Sequence, residues 1–522
     1  MTRVRHLVIG GGPAAAATAV ALVGRGLRVT VVDAGLRLEP ERAELRRRLA
    51  ATSPGNWSPS DLEVFSFAKE PQAGLGQKRL FGSDFPFANP GLVELAPHDV
   101  GARPSFAAGG LSNVWGAGLL PYTEGDLKDW PLDAAELAPH YRALAPLLPL
   151  SAEDDDLSEQ YPLFKEPDGV LMRSEEGDRM LNRLRRNAGL RRGGWRFGAA
   201  RLAVRAGRPA PEMGCVYCSR CLDGCPYGHI YNAADTLDAL AGSGAVDYRG
   251  GLRVASLTEG ADGVRVEVVS VSTGESSHLE AERVYLGAGA LSSTFILQRS
   301  GLLGAEVELL DSQTVYLPML WAGSPAPKGE RDSYSLAQAY ALLDSPAVSS
   351  RPIHLSLYGY SPDLPERVRD LRPQLARLLG PLLERATRQL VFAICFLHSD
   401  ESSRFVSRHD GDTFSLEARA NPAGPAAIRR LKRRLLIDFA RVGMLPLTPA
   451  AEIAKTGGGY HYGGSVPMRK VPSAGESDLL GRPYGSARIH VVDASCFPSI
   501  PGGTITYSIM ANAHRIASAT FP

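Results

Sequence analysis

The sequence predicts a mixed fold, α/β in one part and α+β in the other. Three observations carry that expectation. HLVIGGGPAAAATAV (6–20) reads as a strand, a glycine turn and a helix, and LRVTVVD (27–33) adds a second strand. ERVYLGAGALSSTFIL (282–297) repeats the strand, turn and helix. Between Gly304 and Leu447, the segments TVYLPML, PIHLSLYGY and LVFAICFL have the composition of strands and predict an antiparallel sheet.

The first βαβ unit is Rossmann-like. Gly10, Gly12 and Ala15 form G-x-G-x-x-A between strand and helix. Gly10 permits the tight turn, Gly12 lets backbone N–H groups approach a pyrophosphate, and Ala15 allows the helix to lie close on the strand. Asp33 ends the second strand, where a ribose hydroxyl needs an acceptor. These features predict a dinucleotide site and do not by themselves choose between FAD and NAD.

YRGGLRVASL and GVRVEVVSV add further strand signals. Two amphipathic helices follow. PERVRDLRPQLARLLGPLLERA (365–386) sets Val368, Leu371, Leu375, Leu378 and Leu382 on one face, and AAIRRLKRRLLIDFARVG (426–443) is the other. Both are expected to face the core of the second domain, with their charges on the solvated side.

The 522 residues suffice for two sizeable cores or one composite core. With 57 basic and 56 acidic residues the formal net charge is +1, which gives no electrostatic case for nucleic acid or an acidic membrane. No apolar run reaches the roughly 18–20 residues of a transmembrane helix. A strand beginning at His6 leaves no room for a signal peptide, so a cytoplasmic location is expected.

Three segments resemble the glucose–methanol–choline (GMC) oxidoreductases. AAGGLSNVWGAGLLPY (107–122) is similar to their glycine loop over the flavin, and VYLGAGALSSTFILQRSG (284–301) to a second family segment. GGYHYGGSVPM with GRPYGSARIHVVDASCFPSIPGGTITYSIMANAHRIA resembles the C-terminal signature. The resemblance implies FAD and a FAD-binding domain built from discontinuous segments. Its parts would be 1–150, 215–304 (with the cysteine loop) and 451–522, with an insertion at 151–214 and a substrate domain at 305–450 on the antiparallel sheet. It makes Gly109, Gly110, Ser112 and Asn113 cofactor contacts and Trp115 a wall of the flavin site. Asp493 becomes either a flavin neighbour or a structural turn acid.

Alcohol oxidation by flavin needs a base for the hydroxyl proton. His461, with Gly464 and Ser465, matches the family's H-x-x-G-[ST] and so takes that role by resemblance, with a pKa expected near the ordinary value of roughly 6.5. The family's second catalytic position, usually His or Asn, falls on Thr504. Its hydroxyl can hydrogen-bond a substrate oxygen but cannot act as an imidazolium. Tyr507, Tyr460 and His398 are other candidates, His398 being expected to be structural.

CVYCSRCLDGCPYG (215–228) holds four of the six cysteines. Cys215, Cys218, Cys221 and Cys225 form C-x2-C-x2-C-x3-C-P, the iron–sulfur run of bacterial ferredoxins. Zinc wants two ligand pairs separated by a longer loop, and scattered disulfide pairing is absent. The run also resembles that of GMC-type bacterial sugar dehydrogenases, in which C-x5-C-x3-C carries a three-iron cluster. Cys215, Cys221 and Cys225 match that spacing, and Cys218 is an added ligand. A 4Fe-4S cluster is expected ahead of 3Fe-4S or zinc.

The expected function is oxidation of a small-molecule alcohol, a sugar, glycoside or polyol, with the cluster passing single electrons to an acceptor protein. An O2-using oxidase with a structural cluster and a non-catalytic redox protein are the alternatives. Relatives of the sugar-dehydrogenase kind also allow a periplasmic complex, exported with a signal-bearing partner.

Overall fold

In a computed structural model, the residues described are 3–65, 79–207, 213–324, 333–360, 364–371 and 373–520. The α/β part is a seven-stranded sheet. Val246–Arg249, Val29–Val32, Arg3–Ile9 and Ser276–Leu286 run parallel in that order, and Leu252–Glu259 and Val264–Ser270 extend it as antiparallel strands. The seventh strand, Ile489–Val491, pairs in parallel with Ser276–Leu286, so residues more than two hundred positions apart complete one sheet. Leu7, Val8, Val31, Val32, Val284 and Leu286 are buried, as expected of parallel strands covered on both faces. The helix Pro13–Val23 shows its alanines to this sheet and to the helix Thr506–Ala519, and small side chains permit that close approach.

The segment expected to make one antiparallel sheet makes two. Thr314–Trp321, Leu390–Phe396, Ile353–Tyr358 and Ala339–Leu343 form the centre of a second seven-stranded sheet. Trp195–Ala199, which the sequence placed in an insertion, is one of its edges. Glu306–Asp311 instead pairs with Arg404–Asp410 and Tyr462–Gly463 in a third sheet of five strands. The break falls at Ser312–Gln313 for a hydrogen-bonding reason. Ser312 N–H donates to His461 O at 2.9 Å, the last bond toward Tyr462–Gly463, whereas Gln313 O accepts from Leu397 N–H at 3.1 Å and so begins the pairing with Leu390–Phe396.

Alternation along the second sheet decides what lies on each face. Val315, Leu317, Met319, Leu355, Leu357 and Val391 join one core cluster with Leu431, Leu435 and Phe439 of the helix Ala423–Ala440. Each such fully buried side chain contributes about 1.5–3 kcal/mol. That helix is core-facing, as its pattern predicts. The stretch 365–386 is not one helix: a tighter helical turn, Gly380–Leu382, separates the helix that ends at Leu379 from Leu383–Thr387. Gly380, at a φ of +48°, interrupts the run, and Leu378 and Leu382 are 83% and 62% exposed instead of buried.

Candidate active site

A cavity of about 480 Å³ lies between the first sheet and the second. Its floor is the carboxyl end of the parallel strands, where α/β folds hold ligands. Residues 9–14, 32–34 and 287–292, with Phe295 and Ile296, line it there. Gly12 caps the helix Pro13–Val23 without any side-chain hydrogen bond, so the first N–H groups of that helix stay open to an anion. The loop Gly109–Gly110 lies beside this turn, with Gly109 N–H donating to Gly11 O at 3.1 Å. A Cβ on Gly110 would come within 3.2 Å of Gly12 Cα, and its φ of +53° is the second reason for glycine. Asp33 reaches the same cavity and accepts from the Tyr248 hydroxyl at 2.9 Å. Burial pushes its carboxyl up to about 7. Open helix N–H groups, a glycine cradle and a carboxylate at the strand end suit the pyrophosphate and ribose of FAD.

The remaining residues expected at the cofactor divide into two groups. Gly10, Gly12, Gly110, Ser112, Trp115 and Asp493 line the cavity. Ala15 lies beneath it, fully buried, with its N–H 3.3 Å from where a Gly287 Cβ would stand. Gly109 and Asn113 do not line it. The Asn113 amide donates to Ala108 O and Gly110 O and accepts from Asn232 Nδ2, so it serves as an internal buckle of the loop. Asp493 borders the cavity with its carboxylate already engaged. It accepts from Gly289 N–H, Ser293 Oγ and Ser495 N–H, tying two helix starts together.

His461 is held where the second and third sheets meet. Its carbonyl accepts from Ser312, and Tyr462 pairs with Asp311. The ring lines the cavity and stacks on Phe396, with centroids 5.0 Å apart and an interplanar angle of 24°. Nδ1 is buried with no partner, which leaves Nε2 as the nitrogen on the cavity side. Burial lowers the imidazole to about 4, well below the value expected from the sequence, so it is neutral at pH 7.

Thr504 lines the same cavity, and its Oγ1 accepts from Leu120 N–H at 3.0 Å. The hydroxyl proton is thereby left free to donate. Thr504→Ala should slow flavin reduction by the equivalent of one hydrogen bond, about 1–3 kcal/mol, and less than loss of His461. Anaerobic rapid-mixing rates of the two variants check the ranking, and an equal loss would reverse it. Tyr507 donates to Tyr141 O at 2.8 Å and lies away from this cavity. His398 caps the short helix Ser399–Glu401 through Asp400 N–H, a structural role. Tyr460 lines the cavity at a φ of +57°.

His354 has no local sequence signal, yet it stands beside this group. Cross-strand register places Thr314, Phe396 and His354 in one row. The buried imidazole lies edge-on to Tyr340 at 4.7 Å, with Nε2 3.2 Å from Ser356 Oγ and Nδ1 unpartnered. Burial, and then His461, lower its pKa to about 3.

The cysteine loop reaches the cavity through Leu222. It is laced to residue 333, Ser219 N–H donating to Ser333 O at 3.1 Å. Tyr217 N–H donates to Cys215 Sγ and His229 N–H to Cys225 Sγ, each at 3.4 Å. Tyr217 and Ser219 adopt positive φ to make the loop's turns. Burial, and then the neighbouring Cys221, push the Cys218 thiol up to about 12, and Cys215 is raised by the same causes. Among the described residues, no three His, Cys, Asp or Glu side chains are grouped as a metal site. The donor chemistry nevertheless suits a cationic cluster. Cys221 and Cys225 raise the Cys215 and Cys218 thiols, and backbone N–H groups already point at the Cys215 and Cys225 sulfurs.

Residues 441–513 match the family model described as GMC oxidoreductase. No curated protein matches the chain. Among solved structures, the chain is similar to pyridoxine 4-oxidase from Mesorbium loti at 16% identity. The similarity covers 99% of each chain, with a TM-score of 0.59. None of the described helices is long and apolar enough to cross a membrane.

Proposed function

We propose, from the match of residues 441–513 to the GMC oxidoreductase model, that this chain is a flavin enzyme acting on CH–OH groups and oxidises the hydroxyl of a sugar, glycoside or polyol, with His461 as base. The observation that carries this reading is the placement of His461 Nε2 on the cavity that also holds the glycine cradle. FAD bound in that cradle supplies an acceptor for the hydride leaving the alcohol carbon. His461 takes the hydroxyl proton at Nε2, which requires the neutral tautomer with hydrogen on Nδ1. Thr504 donates to the substrate oxygen and holds it toward the base. The apolar and aromatic walls, Phe392, Ile394 and Phe396 among them, keep water from the reacting carbon. Anaerobic mixing with a panel of sugars and polyols tests the reading. At least one should bleach the flavin of the parent protein, and none bleaching it would overturn the substrate class.

We further propose that Cys215, Cys218, Cys221 and Cys225 hold a 4Fe-4S cluster. Such a cluster carries electrons singly, which suits an acceptor protein better than O2. Protein made without oxygen should contain about four irons and four sulfides per flavin. Cys218→Asp should lower this to three irons, with a new paramagnetic signal in the oxidised state and FAD retained. Zinc in place of iron would overturn the assignment. The similarity to an oxidase favours a second reading, in which O2 is the acceptor and the cysteine loop is structural. Peroxide formed in equal amount to the alcohol oxidised in air would establish that alternative.

A further inference from the structure

The cavity wall opposite the glycine cradle is built largely from tyrosine. Tyr316 and Tyr340 lie in one cross-strand row with Ile394 and Ser356, and Tyr358 lies in the next with Phe392. Tyr334, shortly before the strand Ala339–Leu343, adds a fourth ring. Adjacent strands are about 4.8 Å apart, so the row from Tyr316 to Tyr340 spans about 14 Å. The rings are near enough to feel one another electrostatically: Tyr358 feels Tyr316, and Tyr340 feels Tyr358 and Tyr334.

The hydroxyls of Tyr316, Tyr334 and Tyr358 donate to and accept from no described residue, and none of them is sealed in the core. They open on the cavity. Tyr340 has only a marginal contact, 3.4 Å to Arg201 O. Each phenol is a donor and an acceptor without charge. Among the described residues lining the cavity, the charged ones are Asp33, Arg103, Arg253, Arg299 and Asp493, and none belongs to the second sheet.

We propose that Tyr316, Tyr334 and Tyr358 determine specificity, selecting an uncharged, polyhydroxylated alcohol and rejecting its phosphorylated or carboxylated counterpart. The proposal rests on the reading of this cavity as the alcohol site and adds the feature by which the alcohol is chosen. A ligand with several hydroxyls pairs with the three phenols, whereas one lacking them leaves buried polar groups unmatched. A phosphate or carboxylate would be buried against Tyr316 and Tyr358 where, among the described residues, no cation of the second sheet lines the cavity, which is costlier still.

Binding and turnover are measured separately. Equilibrium binding is read in the FAD-loaded His461→Ala protein by perturbation of the flavin spectrum. The probes are aldoses, methyl glycosides and sugar alcohols, their phosphate and uronate counterparts, and cyclohexanol. At least one neutral polyol should bind at least about tenfold more tightly than both of its anionic counterparts. Adding Tyr316→Phe or Tyr358→Phe should weaken that polyol by about three- to tenfold and leave cyclohexanol unchanged. Anionic probes binding as tightly, no neutral polyol binding, or equal losses for polyol and cyclohexanol would each overturn the proposal. A neutral polyol that binds with this preference but never bleaches the parent flavin would sink the proposed oxidation and leave the specificity inference standing.

Discussion

His461→Ala will keep its FAD and its yellow colour, but its substrate will reduce the flavin at least about a hundredfold more slowly than in the parent protein. A positioned base contributes about 10²- to 10⁴-fold, and among the described residues lining this cavity no second imidazole replaces it. The other imidazole nearby, His354, does not line the cavity and is itself neutral at about pH 7. The pH dependence should separate a base from a packing residue. A base works only when unprotonated, and burial holds His461 near a pKa of about 4. In the parent, flavin reduction should therefore stay level from about pH 8 to pH 6 and fall as the pH drops through about 5 toward 4. A group at the ordinary pKa of roughly 6.5 would already be failing at pH 6. Stopped-flow reduction without oxygen measures both effects. A variant reduced at the parent rate would remove His461 from the chemistry.

Gly10→Ala should damage the fold and the cofactor cradle at once. Gly10 has a φ of +106°, and a Cβ there would stand 2.5 Å from Gly287 O and 2.9 Å from Ala288 Cα. Neither backbone can withdraw. Gly10 N–H donates to Val32 O at 2.8 Å, and Gly287 N–H donates to Ile9 O at 2.9 Å. Three strands are thus locked together at the clash. The expected result is colourless protein, destabilised by more than about 3 kcal/mol, because the cradle and the sheet are disturbed together. Gly26→Ala is the control. Its φ of +74° is also strained, but no atom lies within 4 Å of the added methyl. It should cost about 1–2 kcal/mol and bind FAD normally. Flavin content and thermal unfolding of both variants decide the matter, and a yellow, stable Gly10→Ala protein would show that the crossing can yield.

What the sequence made legible were positions whose chemistry is local. A glycine turn between a strand and an alanine helix, a carboxylate at a strand end, and four cysteines at fixed spacing each announce themselves within a few residues. His461 was found through a short motif, although its low pKa depends on Phe396 and the sheet junction, which no local pattern contains. Thr504 was placed by counting, but the direction of its hydrogen bond needed Leu120. The resemblance of the glycine loop made Asn113 a cofactor contact, but its actual partners, Ala108, Gly110 and Asn232, are set by the loop's own turn. The helix expected over 365–386 failed where Gly380 outweighed its leucine spacing. The tyrosine wall was the least legible feature. Tyr316, Tyr340 and Tyr358 come from separate strands, and only register and alternation turn them to one side, where Tyr334 joins them from the segment before Ala339–Leu343.

The strand Ile489–Val491 also bears on how the protein is made. It pairs with Ser276–Leu286, a strand that already lies beside Arg3–Ile9, while the helix Thr506–Ala519 covers Pro13–Val23 from the opposite end of the sequence. Contacts of such long separation form late and slowly, because the loop between them must close first. A nascent chain held on the ribosome before residue 489 has its glycine turn and Asp33 but lacks one strand of that sheet and the covering helix. Flavin loading therefore belongs to the released polypeptide, and a stalled or truncated one leaves apolar strand faces bare to chaperones and proteases.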